Sequence, residues 1–337
     1  MMQPFRYRRA DSLQDAVALA AATPHAQFIA GGSDLLPLWK TGVTSPTLVI
    51  DITRLPLTHV ERRNGELALG ALLTLSAAAD HPWVLEHCPA IVQALLASAA
   101  PQIRNLATLG GNLLQRTRCN YFRHVELPCN KRAPGSGCGA LQGEHRPHAI
   151  FGTSAQCIAT HASDLAVALL MADARVRICG PAAERCIALA DLWPLPGMQP
   201  QRDHTLTQGE LITEILLPEV TWTRHSHYLM VRDRAAFEFA LVSVAAGLAI
   251  EDSVVRAARI TAGGVGTVPW KLTACEATLL GQRATPAMLE RAAAAAAEHA
   301  TALPANAFKP ALLQRAVLRA LQTVTAAAEQ PTSGANA

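Results

Sequence analysis

Short apolar runs alternate with amphipathic segments along the first part of the chain. Apolar runs at residues 27–30, 47–52 and 66–72 predict buried strands, since runs of this length suit the interior of a sheet. One helix is predicted from Ser12, with Asp15 three residues on, until Pro24, and another over 89–100 before Pro101. This alternation predicts an α/β or α+β domain.

The second part of the chain shows a similar pattern after a long irregular loop. The elements expected there are a helix following Ser163 and Asp164 through Met171, strands at 175–179, 210–217, 227–232, 240–250 and 257–262, and helices at 270–280, 287–300 and 311–326. A polar, aperiodic stretch at 219–227 predicts a boundary between an α+β domain over 1–220 and a smaller domain over 221–328. Residues 329–337 are expected to form a disordered tail.

Composition narrows the classes of function. The chain has 337 residues, is 50% hydrophobic, and carries a formal charge of +3 with 16% charged residues. The electrostatic field of so small a net charge is too weak to indicate a nucleic-acid partner. We expect no membrane span and no export signal, because Asp11, Gln14 and Asp15 interrupt the apolar segment that should follow Arg8 and Arg9.

Two glycine-rich turns lie about 75 residues apart. They are residues 29–36 (IAGGSDLL) and 107–114 (ATLGGNLL), and each joins one apolar run to another. Glycines at such turns let backbone N–H groups approach a bulky anion such as pyrophosphate. Neither the G-x-G-x-x-G nor the G-x-x-x-x-G-K-[ST] pattern occurs, so a nucleotide would be bound in another way.

Four cysteines follow the second turn in a loop over residues 115–160 and its immediate surroundings. They are Cys119, Cys129, Cys138 and Cys157, with the spacing C-x9-C-x8-C-x18-C. Zinc sites usually contain a closer pair, whereas iron-sulfur clusters tolerate wider spacing, so a cluster, zinc and no metal all stay open. The histidines of this region, His124, His145, His148 and His161, are possible substitute ligands, but we expect them to be solvated. The scattered cysteines Cys88, Cys179, Cys186 and Cys275 are expected to be ordinary small core residues.

Four segments carry a resemblance to a known family: residues 28–36 (FIAGGSDLL), 102–112 (QIRNLATLGGN), 129–132 (CNKR) and 231–234 (VRDR). Through them the chain, from about residue 5 to residue 321, resembles the FAD-binding subunits of the xanthine dehydrogenase family of molybdenum hydroxylases. It is most similar to the subtype that carries an additional four-iron four-sulfur (4Fe-4S) cluster. The resemblance implies a two-part FAD-binding domain of the PCMH type, followed by a flavoprotein C-terminal domain of antiparallel strands and helices.

The resemblance also implies cofactor contacts, position by position. The residues expected to contact FAD are Phe28, Ile29, Ala30, Gly31, Gly32, Ser33, Asp34, Leu35 and Leu36 of the first turn, Thr108, Gly110, Gly111 and Asn112 of the second, and Arg118, Asp164 and Arg234 elsewhere. The residues expected to ligate the 4Fe-4S cluster are Cys119, Cys129, Cys138 and Cys157. Nearby basic residues, among them Lys131 and Arg132, would raise the cluster's potential or serve a structural or docking purpose.

The function implied is electron transfer rather than substrate activation. A molybdenum cofactor in one partner subunit would oxidise an aldehyde, and 2Fe-2S clusters in a second partner would pass electrons through FAD to an external acceptor. A heterotrimer exported to the periplasm with a signal-bearing partner is expected, with a cytoplasmic location as the alternative. Two other functions remain open: a stand-alone FAD-dependent oxidase or reductase, and a non-catalytic scaffold stapled by zinc.

Overall fold

The computed structural model describes residues 3–236 and 238–329. Its strands are β1 (Arg6–Arg9), β2 (Ala26–Ile29), β3 (Leu48–Asp51), β4 (Val60–Arg63), β5 (Glu66–Gly70), β6 (Arg175–Cys179), β7 (Glu184–Ala188), β8 (Leu211–Pro218), β9 (Ser226–Val231), β10 (Val242–Glu251), β11 (Val254–Gly263) and β12 (Trp270–Lys271). Its helices are α1 (Leu13–Ala22), α2 (Leu35–Lys40), α3 (Leu75–Ala79), α4 (Pro82–His87), α5 (Pro89–Ala97), α6 (Pro101–Arg104), α7 (Leu109–Leu113), α8 (Asn120–Arg123), α9 (Asp164–Met171), α10 (Thr221–Arg224), α11 (Thr273–Leu279), α12 (Pro286–Ala294) and α13 (Lys309–Glu329). Single 3-10 turns lie at Gly139–Leu141, Leu189–Asp191, Ala295–Ala297 and Pro304–Asn306.

The N-terminal part holds a small parallel sheet in the order β1-β3-β2. Helix α1 covers it, burying Ala16, Val17 and Ala20 in one cluster with Ile50 of β3. The predicted capping pattern is present, since Ser12 Oγ accepts from Asp15 N at 3.1 Å. This packing fixes the end of β2, from which the first glycine turn departs.

A five-stranded antiparallel sheet, in the order β4-β5-β8-β6-β7, forms the second part of the same region. Its inner face packs with α3, α5 and α9 into the largest apolar cluster of the described residues. Helix α9 is buried at every position from Asp164 to Met171, because it packs against α5 and α7 as well as against β10 and β11 of the C-terminal part. The second glycine turn lies at the edge of this core, where Leu109 and Leu113 are buried.

The C-terminal part is a four-stranded antiparallel sheet, β12-β11-β10-β9, backed by α11, α12 and α13. Alternate residues of β10 face opposite ways: Val244, Ala246 and Leu248 join the core with these helices, whereas Ala245 joins the core of the N-terminal part. A sheet buried on both faces explains the nearly continuous apolar sequence of β10. The mixed strand and helix content and the antiparallel sheets confirm the predicted fold class.

Three local predictions were wrong, each for a definable reason. The helix expected to reach residue 100 ends at Ala97, and Ala99 has a φ of 51° before Pro101 begins a separate short helix. Trp270 and Lys271 form a strand because they pair with Ala262 and Thr261, so α11 starts later than expected. The alanine-rich helix ends at Ala294 in a 3-10 turn, ahead of the junction where Thr301 N donates to Ile150 O.

At the C-terminus, α13 includes Glu329, which the sequence placed in the tail. The remainder of the predicted tail, residues 330–337, lies outside the described residues. Over the described ranges, none of the helices combines the length and the apolar content that a membrane crossing requires.

Candidate functional site

The two glycine turns lie against each other and both line a cleft of about 600 Å³. Gly31 makes this close approach possible, because a Cβ at this position would lie 1.9 Å from Leu106 O, just before the second turn. Gly32 has a φ of 67°, a left-handed conformation that glycine adopts at little cost. The sequence brings the turns together through backbone contact rather than through side chains.

The first turn presents unpaired donors. Within the described residues, the backbone N–H groups of Gly31, Gly32, Ser33 and Asp34 donate no hydrogen bond to another group. Consecutive N–H groups around a left-handed residue form a concave site for an anion. This turn therefore fits the pyrophosphate of a dinucleotide such as FAD.

The second turn contributes differently from the first. Its N–H groups are already used, since Leu109 N and Gly110 N donate to Leu73 O and Ala71 O at 2.9 Å, and Gly111 N donates to Thr108 Oγ1 at 3.3 Å. The Thr108 hydroxyl keeps its own proton available, having no acceptor among the described residues. Gly110 and Gly111 thus form part of the cleft wall without side chains, and the Thr108 hydroxyl is able to donate a hydrogen bond.

Eleven of the predicted FAD contacts line this cleft: Phe28, Ile29, Ala30, Gly31, Gly32, Ser33, Asp34, Leu35, Thr108, Gly110 and Gly111. The other five, Leu36, Asn112, Arg118, Asp164 and Arg234, lie outside its wall. Sequence reasoning missed the opposite wall, formed by residues 201–212. That segment has no regular secondary structure before β8. It lies near the glycine turns only in the folded chain, so no local sequence pattern predicts its place in the cleft.

Asp34 has a second task besides lining the cleft. Its carboxylate accepts from the backbone N–H of Arg116 at 2.8 Å and from the guanidinium groups of Arg118 and Arg123, the latter at 2.9 Å. The carboxylate faces the cysteine loop, so its charge is neutralised there by two arginines. Asp34 therefore fastens the first glycine turn to the start of the cysteine loop.

Asp164 and Arg118 meet at a separate, smaller cavity that also touches Phe239 and Gly264. The Asp164 carboxylate accepts from Tyr228 OH at 2.5 Å and from Ser98 Oγ at 3.2 Å. Burial raises the pKa of Asp164, and the two hydroxyl donors oppose this rise. The geometry gives Asp164 a set of internal partners; its predicted contact with nucleotide hydroxyls stays a prediction.

The two remaining polar residues outside the cleft have partners of their own. Asn112 accepts from Ser163 Oγ at 2.5 Å, which ties the second glycine turn to the start of α9. Arg234 is exposed and pairs with Glu238 at 2.9 Å in the loop between β9 and β10. Its predicted role near the flavin stays a prediction.

All four predicted cluster ligands, Cys119, Cys129, Cys138 and Cys157, line one small cavity with Tyr121, Phe122 and Asn130. None of these cysteines is in a disulfide. The backbones of Cys129 and Cys138 form an isolated antiparallel β-bridge. Burial raises the pKa of the Cys119 thiol to about 12 and also raises that of Cys157. Without a cation in the cavity, both thiols stay protonated at neutral pH.

The cysteine cavity is built by the CNKR segment. Asn130 donates to Gln156 Oε1 at 2.8 Å and accepts from Gly137 N at 2.8 Å, joining the neighbourhoods of three cysteines. Arg132 donates to the carbonyls of Tyr121 and Phe122 at 2.7 and 2.8 Å, closing the end of α8. Arg132 is therefore occupied within the chain, which supports a structural use over a docking one.

Asp203 connects the cysteine cavity to the cleft. It accepts from Lys131 Nζ and from Arg116 Nε, both at 2.6 Å. Burial alone would raise the pKa of Asp203, but the two cations outweigh it and lower the pKa. The Asp203 carboxylate thus neutralises Lys131, which lies beside Cys157, and Arg116, which lines the cleft.

The histidines near the loop do not all behave as expected. His124 is exposed, as predicted, but the expectation of a solvated side chain is wrong for His145 and His148, which are 8% and 4% exposed. Both have partners near the C-terminus: His145 Nε2 accepts from Ala305 N in the 3-10 turn Pro304–Asn306, and the carbonyl of His148 accepts from Lys309 Nζ at the start of α13. These contacts span about 160 residues and leave no local signal in the sequence.

The cysteine cavity offers a metal four sulfur donors. Among the described residues, no three His, Cys, Asp or Glu side chains are close enough together to hold a single metal ion. The four thiols instead surround a cavity from four different stretches of the loop. An all-thiolate set around a cavity fits the chemistry of an iron-sulfur cluster.

Comparison with known proteins identifies the family. Residues 3–220 match the model of the FAD binding domain in molybdopterin dehydrogenase, and residues 227–324 match the CO dehydrogenase flavoprotein C-terminal domain. The chain belongs to the FAD-binding subunits of the molybdenum hydroxylases. This confirms the family resemblance drawn from the four segments, and the protein is accordingly an oxidoreductase subunit.

Individual relatives within this FAD-binding family match most of the chain. The aldehyde oxidoreductase FAD-binding subunit PaoB of Escherichia coli K12 is 42% identical over 329 residues, 97% of this chain and 100% of the relative. The glyceraldehyde dehydrogenase medium chain of Sulfolobus acidocaldarius is 23% identical over 83% of this chain and 82% of its own. The solved structure of reconstituted CO dehydrogenase from Oligotropha carboxidovorans shares the fold, with a TM-score of 0.76 at 21% identity over 97% of this chain and 99% of that one.

Proposed function

We propose that this protein is the FAD- and 4Fe-4S-containing electron-transfer subunit of a molybdenum-dependent aldehyde oxidoreductase. One observation carries the proposal: four cysteines, none of them exposed, line a single cavity, and Asp34 and Asp203 tie that cavity to the cleft between the glycine turns. The full-length similarity to PaoB, whose name gives aldehyde oxidoreductase, supports the substrate class.

The chain's own residues would bind and orient the flavin. The N–H groups of Gly31 to Asp34 would donate to the pyrophosphate, and the Thr108 hydroxyl would add a donor from the other turn. FAD exchanges electrons singly or in pairs, which suits it to join one-electron clusters to an external acceptor. Because the substrate would be oxidised in a partner, the proposal requires no general base or nucleophile in this chain.

In the proposed assembly, a molybdenum-cofactor subunit oxidises the aldehyde and a subunit with 2Fe-2S clusters supplies electrons to FAD. A heterotrimer is the simplest arrangement of these parts. Gel filtration with multi-angle light scattering of the co-expressed complex should give the mass of one copy of each subunit. A mass that fits no complex containing both partners would refute this assembly.

The cofactor content is tested on the same co-expressed complex by flavin, iron, acid-labile sulfide and zinc analysis. Cys129→Ser should lower the iron and sulfide by roughly four each per chain. Cys186→Ser is the matched control and should change neither, because Cys186 lies outside the loop and is exposed, so its expected place in the core was wrong. Flavin without the extra iron would favour the stand-alone flavoprotein, and zinc without flavin would favour the scaffold.

A periplasmic location by co-export is part of the proposal and rests on the family resemblance. Cell fractionation should place this chain in the periplasm only when a partner subunit carries a functional twin-arginine signal. A chain that remains cytoplasmic beside an intact exported partner would refute co-export and leave the cytoplasmic alternative.

A further inference from the structure

His148 lies directly against one of the four cysteines. Its Nε2 is 3.2 Å from Cys119 Sγ, and the residue is 4% exposed. A thiolate sulfur accepts hydrogen bonds and donates none, so the proton of this contact belongs to Nε2 whenever Cys119 ligates iron. His148 Nδ1 is buried and has no hydrogen-bond partner among the described residues, so the ring's one polar contact is with the sulfur.

The position of His148 is set by the C-terminal part of the chain. Its carbonyl accepts from Lys309 Nζ at 2.9 Å and from Asn306 Nδ2 at 3.2 Å. Lys309 is fully buried and also donates to the carbonyls of Pro147 and Gly264. The next residue, Ala149, donates to Ile158 O beside Cys157. The imidazole is therefore held at the sulfur by groups from α13, from the 3-10 turn before it and from the cysteine loop.

We infer that His148 is an N–H donor to the Cys119 sulfur of the 4Fe-4S cluster and raises the reduction potential of that cluster. The inference rests on the proposed function, since it requires the cluster. A hydrogen bond to a ligating sulfur draws electron density from the iron, which stabilises the reduced form. The C-terminal domain would thus set the potential of a cluster whose ligands all belong to the FAD-binding domain.

The test is a redox titration of the cluster, followed by electron paramagnetic resonance, in the whole complex. We expect His148→Leu to shift the midpoint potential downward. His148→Gln retains an N–H donor of similar reach and should stay close to wild type. His124→Leu, a histidine of the same loop that is exposed, is the matched control and should leave the potential unchanged.

A second measurement needs no variant. In wild-type complex labelled with ¹⁵N-histidine, pulsed electron paramagnetic resonance should detect a weak nitrogen coupling to the reduced cluster. An unchanged potential in His148→Leu, the absence of this coupling, or a strong coupling typical of direct iron ligation would overturn the inference. If His148→Leu fails to assemble, the labelled wild type decides alone. Failure of the proposed function is distinguishable, since wild type would then lack the iron and sulfide altogether.

Discussion

Replacement of Gly31 by alanine tests the contact that joins the two glycine turns. The new Cβ would lie 1.9 Å from Leu106 O and 2.6 Å from Leu106 C, and both atoms belong to the backbone. Relief requires the turns to separate by about 1 Å, and such overpacking costs roughly 1–3 kcal/mol of folding stability. The separation should also remove at least one N–H bond to a phosphate, worth about 1.5–3 kcal/mol. The affinity for FAD should therefore fall by roughly 10- to 100-fold.

The assay is a fluorescence titration of FAD into deflavinated complex, paired with thermal unfolding. Gly247→Ala is the matched control: its Cβ would meet Met171 Sδ at 2.7 Å and Trp222 O at 2.8 Å, far along the chain from the cleft. It should lower the melting temperature and leave the FAD affinity intact. If Gly31→Ala lost stability but bound FAD as tightly as wild type, the placement of the pyrophosphate at the first turn would be wrong.

Three further predictions concern the groups around the cleft. Asp34→Asn should speed proteolysis within residues 115–123, because Arg118 and Arg123 lose their carboxylate; cleavage at the wild-type rate would contradict the anchoring role. Asp203 has a lowered pKa when folded, so its stabilisation is complete above its ordinary value of 3.8 and is lost as pH falls below it. Urea unfolding at several pH values should show a larger acid loss of stability in wild type than in Asp203→Asn, and an equal loss in both would contradict this role. Tyr228→Phe removes a donor from buried Asp164 and should lower the free energy of unfolding by about 1–3 kcal/mol, whereas an unchanged value would show that Ser98 alone satisfies the carboxylate.

Local pattern was sufficient where an element carries its own hydrophobic signal. Strand β6 occupies the predicted residues 175–179, and α1 begins after Ser12 as its capping residues indicated. Strand β7 was not predicted, since its alternating burial pattern belongs to an edge strand with polar residues on one side. The sequence thus predicted where an element lies along the chain, but not which other element it packs against.

The candidate functional site was likewise predictable only where its features are local in the sequence. The first glycine turn could be proposed from sequence, because the chemistry resides in consecutive backbone groups. The wall at 201–212, the Asp203 bridge and the burial of His148 could not, because each depends on residues far apart in the chain. Their individual residue types resemble ordinary loop composition until the fold brings them together.

The most direct test of the account is anomalous diffraction at the iron edge from crystals of the complete complex. The account predicts four iron positions within the cavity between Cys119, Cys129, Cys138 and Cys157, and flavin pyrophosphate density against the N–H groups of Gly31 to Asp34. Density for one zinc ion in that cavity, or for a pyrophosphate bound away from the first glycine turn, would contradict it.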